Sequence, residues 1–520
     1  MAVGKNFLEN LTVAMYENSF TVYREYIQNS ADSIDKAIRE GLLSQDKAFI
    51  DISIEYSKRK ISVYDNACGI PVKEFKKKMT DVADSDKDRD TEKGFRGIGR
   101  LAGLGYCEKL IFSTSCSGEN KKSVITWDGT LLRKIVDDPH LHPTSEELIT
   151  QITNIEYFPA PIEDHYFEVV MEDVTFESDD LLDESLVAKY LRSVAPIPYE
   201  NYFIFSSKVH EFAQINGFRI DEYKVTVNGQ QIFKPYRTIL YEGSLDAKKR
   251  YDEIVDVQFK IFEAKDGTPI AWMWYGIAKF EKNIPVVNEM RCIRLRKENI
   301  QIGDEDTIGY PKFFKESRGN GYYIGEVFAV DVNLIPNARR DYFNQNQACR
   351  NFEESLYYFF HNELYDLYHY ASKVRSAEKQ VAAFQRKEAE YKEKVDNAGF
   401  IDPDEKEAAE KELEEEKTKC DKAERELANR KKDAEANEVF NRVFNEIEKT
   451  YKCSEQPEEK ELPAGKKKKE KKQKYMTQNL SQLTTDQRKL ISKVYNIIKM
   501  ILPKDMAELV ITKIQEELSK

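Results

Sequence analysis

Cysteine is scarce and scattered in this chain of 520 residues. The seven (Cys68, Cys107, Cys116, Cys292, Cys349, Cys420 and Cys453) are odd in number and never spaced Cys-x-x-Cys, so neither a zinc site nor a disulfide framework is indicated. That usage implies a reducing, cytoplasmic compartment. No apolar run approaches the roughly 20 residues that span a bilayer, so no membrane partner is expected. Met1 to Asn10 holds no apolar signal core. Excess positive charge is missing too. The formal net charge is −12, which gives no global footprint for nucleic acid and leaves only local basic patches for that role. Two glycine-rich phosphate motifs are absent: the one ending Gly-Lys-Ser/Thr, and the Gly-x-Gly-x-x-Gly that follows a strand.

What is present is ample core material. Apolar residues make up 41% and charged residues 33%, and the length suggests roughly three or four domains. Residues 1–208 mix helical and strand patterns. Phe7 to Gly41 reads as two helices and Leu186 to Val194 as a closing one. Phe49–Tyr56, Lys60–Tyr64, Leu110–Ser115, Ser123–Trp127 and Tyr166–Met171 read as strands of an α+β sandwich. Residues 209–371 form a second α+β domain. It opens on a hairpin, Lys224 to Phe233, that turns at Asn228-Gly229, and the aromatic-rich helix Asn351–Tyr370 packs against it. Residues 372–450 repeat apolar positions in alternating steps of three and four around a turn at Asn397–Asp404, the pattern of a coiled-coil hairpin. Residues 451–478 are a charged linker that includes Lys466–Lys469. Residues 479–520 are amphipathic helix broken at Pro503. Such a pair is unstable alone, so it is expected to dock on the body or on a second copy of the chain.

The chemistry concentrates in four places. Glu25, Asn29 and Asp32 stand at i, i+4 and i+7, which puts a carboxylate, an amide and a second carboxylate on one helix face. Polar groups in such a seam need partners, and the natural ones are a hydrated magnesium ion, a nucleotide phosphate and an attacking water. Asp65 ends a strand and is followed by Gly69, so a base amine has an acceptor and room to lie close to the backbone. Gly94 to Gly105 carries glycines at 94, 97, 99, 103 and 105, whose amides are free to cradle phosphate. Far downstream lies Leu334-Ile-Pro-Asn-Ala-Arg-Arg-Asp341. Alone, each has an ordinary reading as a solvated glutamate, a plain turn or an exposed arginine pair. Their order is far more specific.

That order resembles the GHKL-type ATPases, the superfamily of DNA gyrase B, the ninety-kilodalton heat-shock chaperones, histidine kinases, MutL and MORC proteins. Arg24 to Lys36 is similar to the chaperones' nucleotide helix, Gly94-Phe-Arg-Gly97 to the MutL lid, and Asn337 to Asp341 to the chaperones' middle-domain arginine motif. The resemblance covers about residues 1–345. It implies an N-terminal Bergerat-type α/β sandwich, a second domain of S5-like or middle-domain type, and a C-terminal coiled-coil hairpin with further helices. It implies ATP and Mg²⁺ as cofactors, with Glu25 as general base and Asn29 as the magnesium ligand. Asp65 would bind the adenine amine, with Gly69 beside it and Asp32 in support. Gly94, Arg96, Gly97, Ile98 and Gly99 would form the lid, and Arg340, or its neighbour Arg339, would sense the γ-phosphate. It implies a slow ATPase whose N-terminal domains close or dimerise on ATP, acting on protein clients as a chaperone-like homodimer. The alternatives are a MutL- or MORC-like clamp on DNA and a nucleotide-gated scaffold without turnover. Two departures stand out. Ala67 replaces the first glycine of the family's aspartate–glycine turn. The later Gly-Thr box has no clear copy, with Asp164-His-Tyr166 in its place and Gly129-Thr130 a poor second candidate. No histidine stands where a histidine-kinase phosphoacceptor is expected, which disfavours that branch.

Overall fold

The computed structural model describes residues 18–81, 99–242, 249–396, 399–453, 480 and 483–518. They fall into two units. One runs to Tyr365 without Lys279–Glu281; the other comprises Lys279–Glu281 and the chain from Asp366 onward. The protein is mixed α+β, and no described helix is long and apolar enough to cross a membrane.

The first domain opens on α1 (Thr21–Arg39). The chain continues through β1 (Phe49–Glu55), β2 (Lys60–Asp65), α2 (Val72–Thr80), β3 (Cys107–Ser115), β4 (Lys121–Asp128) and α3 (Gly129–Asp137). It then forms α4 (Ser145–Ile152), β5 (Thr153–Pro159), β6 (Tyr166–Val174), α5 (Glu184–Val194), α6 (Ser206–Ile215), β7 (Lys224–Val227) and β8 (Gln230–Gln231). The eight strands make one sheet in the order β5-β4-β3-β6-β2-β1-β7-β8. Period-two alternation builds it: Ile50, Ile52 and Ile54 of β1 and Ile61 and Val63 of β2 all point inward. α1 lies on this sheet with Tyr23, Tyr26, Ile27, Ala31 and Ile34 in the same core. It is buried almost all round, because α5 and the short 3₁₀ turn Gly99–Gly105 also pack on it.

One element changes place. The Lys224–Phe233 hairpin, expected to open the second domain, extends the first sheet instead. β7 runs parallel to β1, with Val225 beside Ile50, and Val225 and Val227 join the first core. The turn chemistry at Asn228-Gly229 dictates that a hairpin forms but not which sheet edge receives it.

The second domain adds β9 (Ile239–Tyr241) and β10 (Arg250–Glu253) as a pair. β11 (Asp256–Glu263), β12 (Pro269–Ile277), β13 (Cys292–Lys297), β14 (Ile300–Gln301) and β15 (Ile324–Ala329) form a sheet in the order β11-β12-β15-β13-β14. Its core is aromatic: Trp272 stacks on Phe328 at 4.4 Å, and Trp274 meets Phe203 and Tyr236. α7 (Gln347–Tyr358) follows and passes through one π-helical turn, Phe359–Leu364. At the root of this sheet Lys234, Arg296 and Glu326 are buried together. Lys234 donates to Glu326 at 2.9 Å, the Arg296 guanidinium pairs with the same carboxylate, and Arg296 also donates to the Ser193 carbonyl at the end of α5, at 2.9 Å.

The second unit is helical: α8 (Tyr365–Asp396), α9 (Pro403–Ala436), α10 (Glu438–Cys453), α11 (Thr485–Ile501) and α12 (Lys504–Leu518). Asp402 caps α9 by accepting from the Glu405 amide, with Pro403 at the first helical position, so the chain reverses where the turn was expected. α8 and α9 run antiparallel. Polar ties join them at Gln380–Glu416, Lys387–Glu412 and Tyr391–Glu410, and Cys420 and Ala423 are the buried side chains midway along α9. Pro503 separates α11 from α12, and this pair docks on the hairpin's own turn through Ile401, Tyr495 and Ile511. Most of the charged linker lies outside the described residues.

Candidate active site

α1 carries its polar face inward. Glu25 is 9% exposed and Asp32 4%, while Asn29 is half-buried. Such groups are stable in a core only with partners, and several partners come from distant parts of the chain. Beneath the helix, β2 delivers Asp65. The register that points Ile61 and Val63 inward points Asp65 inward as well, so strand alternation itself places a carboxylate at an apolar position. Burial pushes the Asp65 carboxyl up to about 7, with the Ser30 hydroxyl and the Ala67 amide pulling it back. The Ala67 amide donates to Asp65 Oδ1 at 3.1 Å.

The turn after Asp65 is clamped by neighbouring strands. Gly69 has φ +67°, and a Cβ there would overlap the Ser115 carbonyl of β3. The Ile70 amide donates to Thr114 Oγ1 at 2.9 Å, and that hydroxyl donates to the Tyr166 carbonyl at 2.7 Å. Ala67 is fully buried and is not among the residues with left-handed backbone, so alanine in place of the expected glycine meets no strain. His165 Nδ1 lies 2.9 Å from the Ala67 carbonyl, which places the Asp164-His-Tyr166 stretch against the Asp65 turn. Gly129-Thr130 opens α3 instead, with Gly129 packed on the Cys107 carbonyl.

The glycine-rich stretch is described from Gly99 onward; Gly94, Arg96, Gly97 and Ile98 lie outside the described residues. Gly99 sits directly on Glu25, where a Cβ would overlap Oε2.

The other carboxylate oxygen of Glu25 faces the second domain. Pro336 and Phe343 bridge the base of a tight loop, in which the Arg340 amide donates to the Asn337 carbonyl at 3.1 Å. Arg340 closes it with φ +56°, and the Gly303 amide holds its carbonyl at 2.8 Å. A non-glycine residue in this conformation costs on the order of 1 kcal/mol, which the surrounding bonds offset. The loop places Arg340 Nε 3.4 Å from Glu25 Oε1. Arg24 approaches the same oxygen at 3.7 Å and donates to the Arg339 carbonyl at 3.1 Å. At these distances the contacts are ion pairs, not hydrogen bonds. Glu25 Oε1 and Gln28 Oε1 are accordingly buried polar atoms without a hydrogen-bond partner among the described residues.

Glu25, Gly99 and Arg340 thus converge, with Asn29 and Asp32 along the same helix and Asp65 and Gly69 at the neighbouring strand end. Gln28, Ser30 and Thr114 were not singled out in the sequence, and Arg24 and His165 appeared there only within the stretches Arg24–Lys36 and Asp164–Tyr166, without a role of their own.

Comparison with known proteins bears on the same domain. Residues 16–157 match the family model described as histidine kinase-, DNA gyrase B- and HSP90-like ATPase. The chain is 25% identical over 146 residues to the chaperone protein HtpG of Wigglesworthia glossinidia brevipalpis. That match covers 24% of this chain and 23% of the relative, so the chain spans about a quarter of the length of the curated relative it matches. The N-terminal domain is a GHKL-superfamily ATPase domain resembling that of the ninety-kilodalton heat-shock chaperones.

Proposed function

We propose that the protein is a magnesium-dependent, ATP-hydrolysing conformational clamp, a slow chaperone-like remodeller that works as a homodimer on protein clients in the cytoplasm. The observation that carries this reading is the meeting of Glu25 with Arg340, which joins a helix of the ATPase domain to a loop of the second domain across one carboxylate oxygen. A base on one domain and a cation on the other supply a reason for domain movement to accompany hydrolysis.

The donor set fits nucleotide and metal. Gly69 and Gly99 let the chain pack directly on the Ser115 carbonyl and on Glu25, Asp65 is a buried acceptor, and Glu25 Oε1 makes no hydrogen bond among the described residues. Among the described residues no three His, Cys, Asp or Glu side chains gather as a metal cage. Magnesium carried on phosphates needs few protein ligands, and Asn29 would be the one here. Bound there, the ion would neutralise phosphate charge. Asp65 accepts from the adenine amine, Gly69 lets the ring lie flat on the backbone, and Asp32 supports the adenine side. Gly94, Arg96, Gly97, Ile98 and Gly99 cover the phosphates. Glu25 takes the proton of the attacking water. Its pairing with Arg340 keeps Oε1 occupied; when Arg340 turns to the γ-phosphate, Oε1 is released to the water. The closed state is favoured because lid amides and Arg340 meet the γ-phosphate only there. Rearrangement of domains, not chemistry, sets the rate.

The similarity to HtpG favours the chaperone-like reading over a clamp on DNA. It is tested by turnover and nucleotide binding in Glu25→Ala and Arg340→Ala. Both lose turnover, by about 10²-fold or more, and keep nucleotide binding. A wild type with no more ATPase activity than Glu25→Ala would leave only the non-hydrolysing scaffold. Equal loss of binding and turnover in Arg340→Ala would end the sensor role.

A further inference from the structure

A cavity of about 630 Å³ adjoins Arg340. Its walls come from the start of α1, from α5, from β13 and from the loops at 286–289, 301–305 and 339–341. Glu25, Asn29, Asp32 and Asp65 are not in its lining, so it is distinct from the nucleotide face of α1. Arg24 and Arg340 are in the lining, and both also approach Glu25 Oε1. These two side chains are therefore a shared wall between the catalytic carboxylate and the cavity.

The wall is rich in cations: Arg24, Lys189, Arg294, Arg339 and Arg340. Acidic residues line it as well, and they are engaged, as is Arg294, which donates to Gln301 Oε1 at 3.1 Å and to the Glu289 carbonyl at 3.0 Å. Glu305 pairs with Arg291 at 3.4 Å and with Arg294 at 3.8 Å, Glu289 lies 3.8 Å from Arg192, and the Asn337 amide donates to Asp341. Asp304 accepts from Thr307 and from the Asp306 amide. α1 has no acidic side chain in its first turn, so its positive end adds to the field. A cleft with this lining concentrates anions, and its volume is that of a ligand site. Two apolar residues at the rim, Val286 and Val287, are 72% and 57% exposed and leave the mouth open.

We propose that this cavity is a second oxyanion site, which receives inorganic phosphate from the nucleotide pocket by way of Arg340. The inference rests on ATP hydrolysis at Glu25. Hydrolysis leaves ADP and phosphate on either side of the cleaved bond, with ADP filling the adenine side. Arg340 faces both the carboxylate and the cavity. A rotation of its guanidinium carries a bound oxyanion from one to the other while ADP stays in place. Arg24 and Lys189 then hold the phosphate next to water.

The test is titration of inorganic phosphate into the full-length chain saturated with ADP, followed by calorimetry. ADP binding is measured first and alone; its absence would strike the nucleotide reading and not the cavity. The expected result is one phosphate per ADP-loaded chain, displaced by sulfate and not by chloride. Lys189→Glu, at an exposed position on α5, weakens phosphate by about fivefold and leaves ADP affinity unchanged. Arg294→Gln does the same, with its folding checked by thermal melting. During turnover both variants relieve inhibition by added phosphate without changing the KM for ATP. The proposal is overturned if ADP-loaded protein binds no phosphate, if extra ADP displaces it, or if Lys189→Glu binds phosphate as the wild type does.

Discussion

Asp65 is the residue whose chemistry is set most clearly by its surroundings. Its folded value of about 7 lies above the ordinary 3.8 because burial penalises the charged form. The folded chain therefore keeps a proton that the unfolded chain has released. This contribution to stability is fully present below about pH 4 and is lost as the pH rises through about 7. Asp65→Asn removes the titration, so urea midpoints across that window should flatten relative to wild type. Adenine's amine is held more strongly by the ionised acceptor. Nucleotide affinity should thus rise with pH up to about 7 and then level, with release of a proton. Calorimetry in two buffers of different ionisation heat reads that proton, with adenosine as the phosphate-free control. Affinity independent of pH would remove Asp65 from the adenine contact. Gly69 is a matter of shape. Alanine there would combine a left-handed backbone with overlap on the Ser115 carbonyl. Gly69→Ala should cost about 2–4 kcal/mol in denaturant unfolding; a loss below 0.5 kcal/mol, an order-of-magnitude bound for a neutral surface change, would show that the turn yields.

At the scale of elements, the second domain is anchored by charge. Burial raises the Glu326 carboxyl, but Arg296 and Lys234 outweigh it and hold it down at about 2. Burial, then Arg296, draws Lys234 down to about 8. All three side chains are 0% exposed. Because Arg296 also binds the Ser193 carbonyl at the end of α5, the cluster ties the second sheet to the helix that packs on α1. Glu326→Gln leaves two buried cations without their anion and should cost about 3–5 kcal/mol in equilibrium unfolding. An unchanged midpoint would mean that water enters the cluster. The α8–α9 pair is held differently. Its ion pairs, such as Lys387–Glu412 with Glu412 66% exposed, lie in solvent and each contribute little. Lys387→Ala should barely move the melting temperature, by about 1 °C or less. A large fall would reveal a seam more cooperative than its few buried side chains imply.

For the whole molecule, the proposed homodimer has a surface to use. α11 and α12 bury Tyr495 and Ile511 against the hairpin turn, yet Leu490, Ile497 and Ile501 of α11 and Leu509 of α12 are more than half exposed. Leu490, Val494, Ile497 and Ile501 lie at i, i+4, i+7 and i+11, one helix face. Light scattering should give the mass of two chains for the full-length protein. Leu490→Asp with Ile497→Asp, or truncation near Lys452, should return the single-chain mass, and a non-hydrolysable ATP analogue should tighten the intact dimer. A single-chain mass for the wild type with and without the analogue would remove the dimer from the mechanism.

Much of the site was legible because local pattern carries it. Helical spacing aligns Glu25, Asn29 and Asp32, strand alternation turns Asp65 inward with Ile61 and Val63, and Asn228-Gly229 specifies a hairpin. These depend on neighbours a few residues apart, where backbone geometry leaves little choice. What the chain order could not decide is which distant surfaces meet. The edge of β1 claimed the hairpin for the first sheet. The Ser115 carbonyl, the Thr114 hydroxyl and His165 closed around the Asp65 turn. The left-handed loop at Arg340, seated on Gly303, brought a guanidinium to a carboxylate more than three hundred positions earlier in the chain. Such contacts follow from burial and shape summed over whole domains, and only the folded structure expresses that sum.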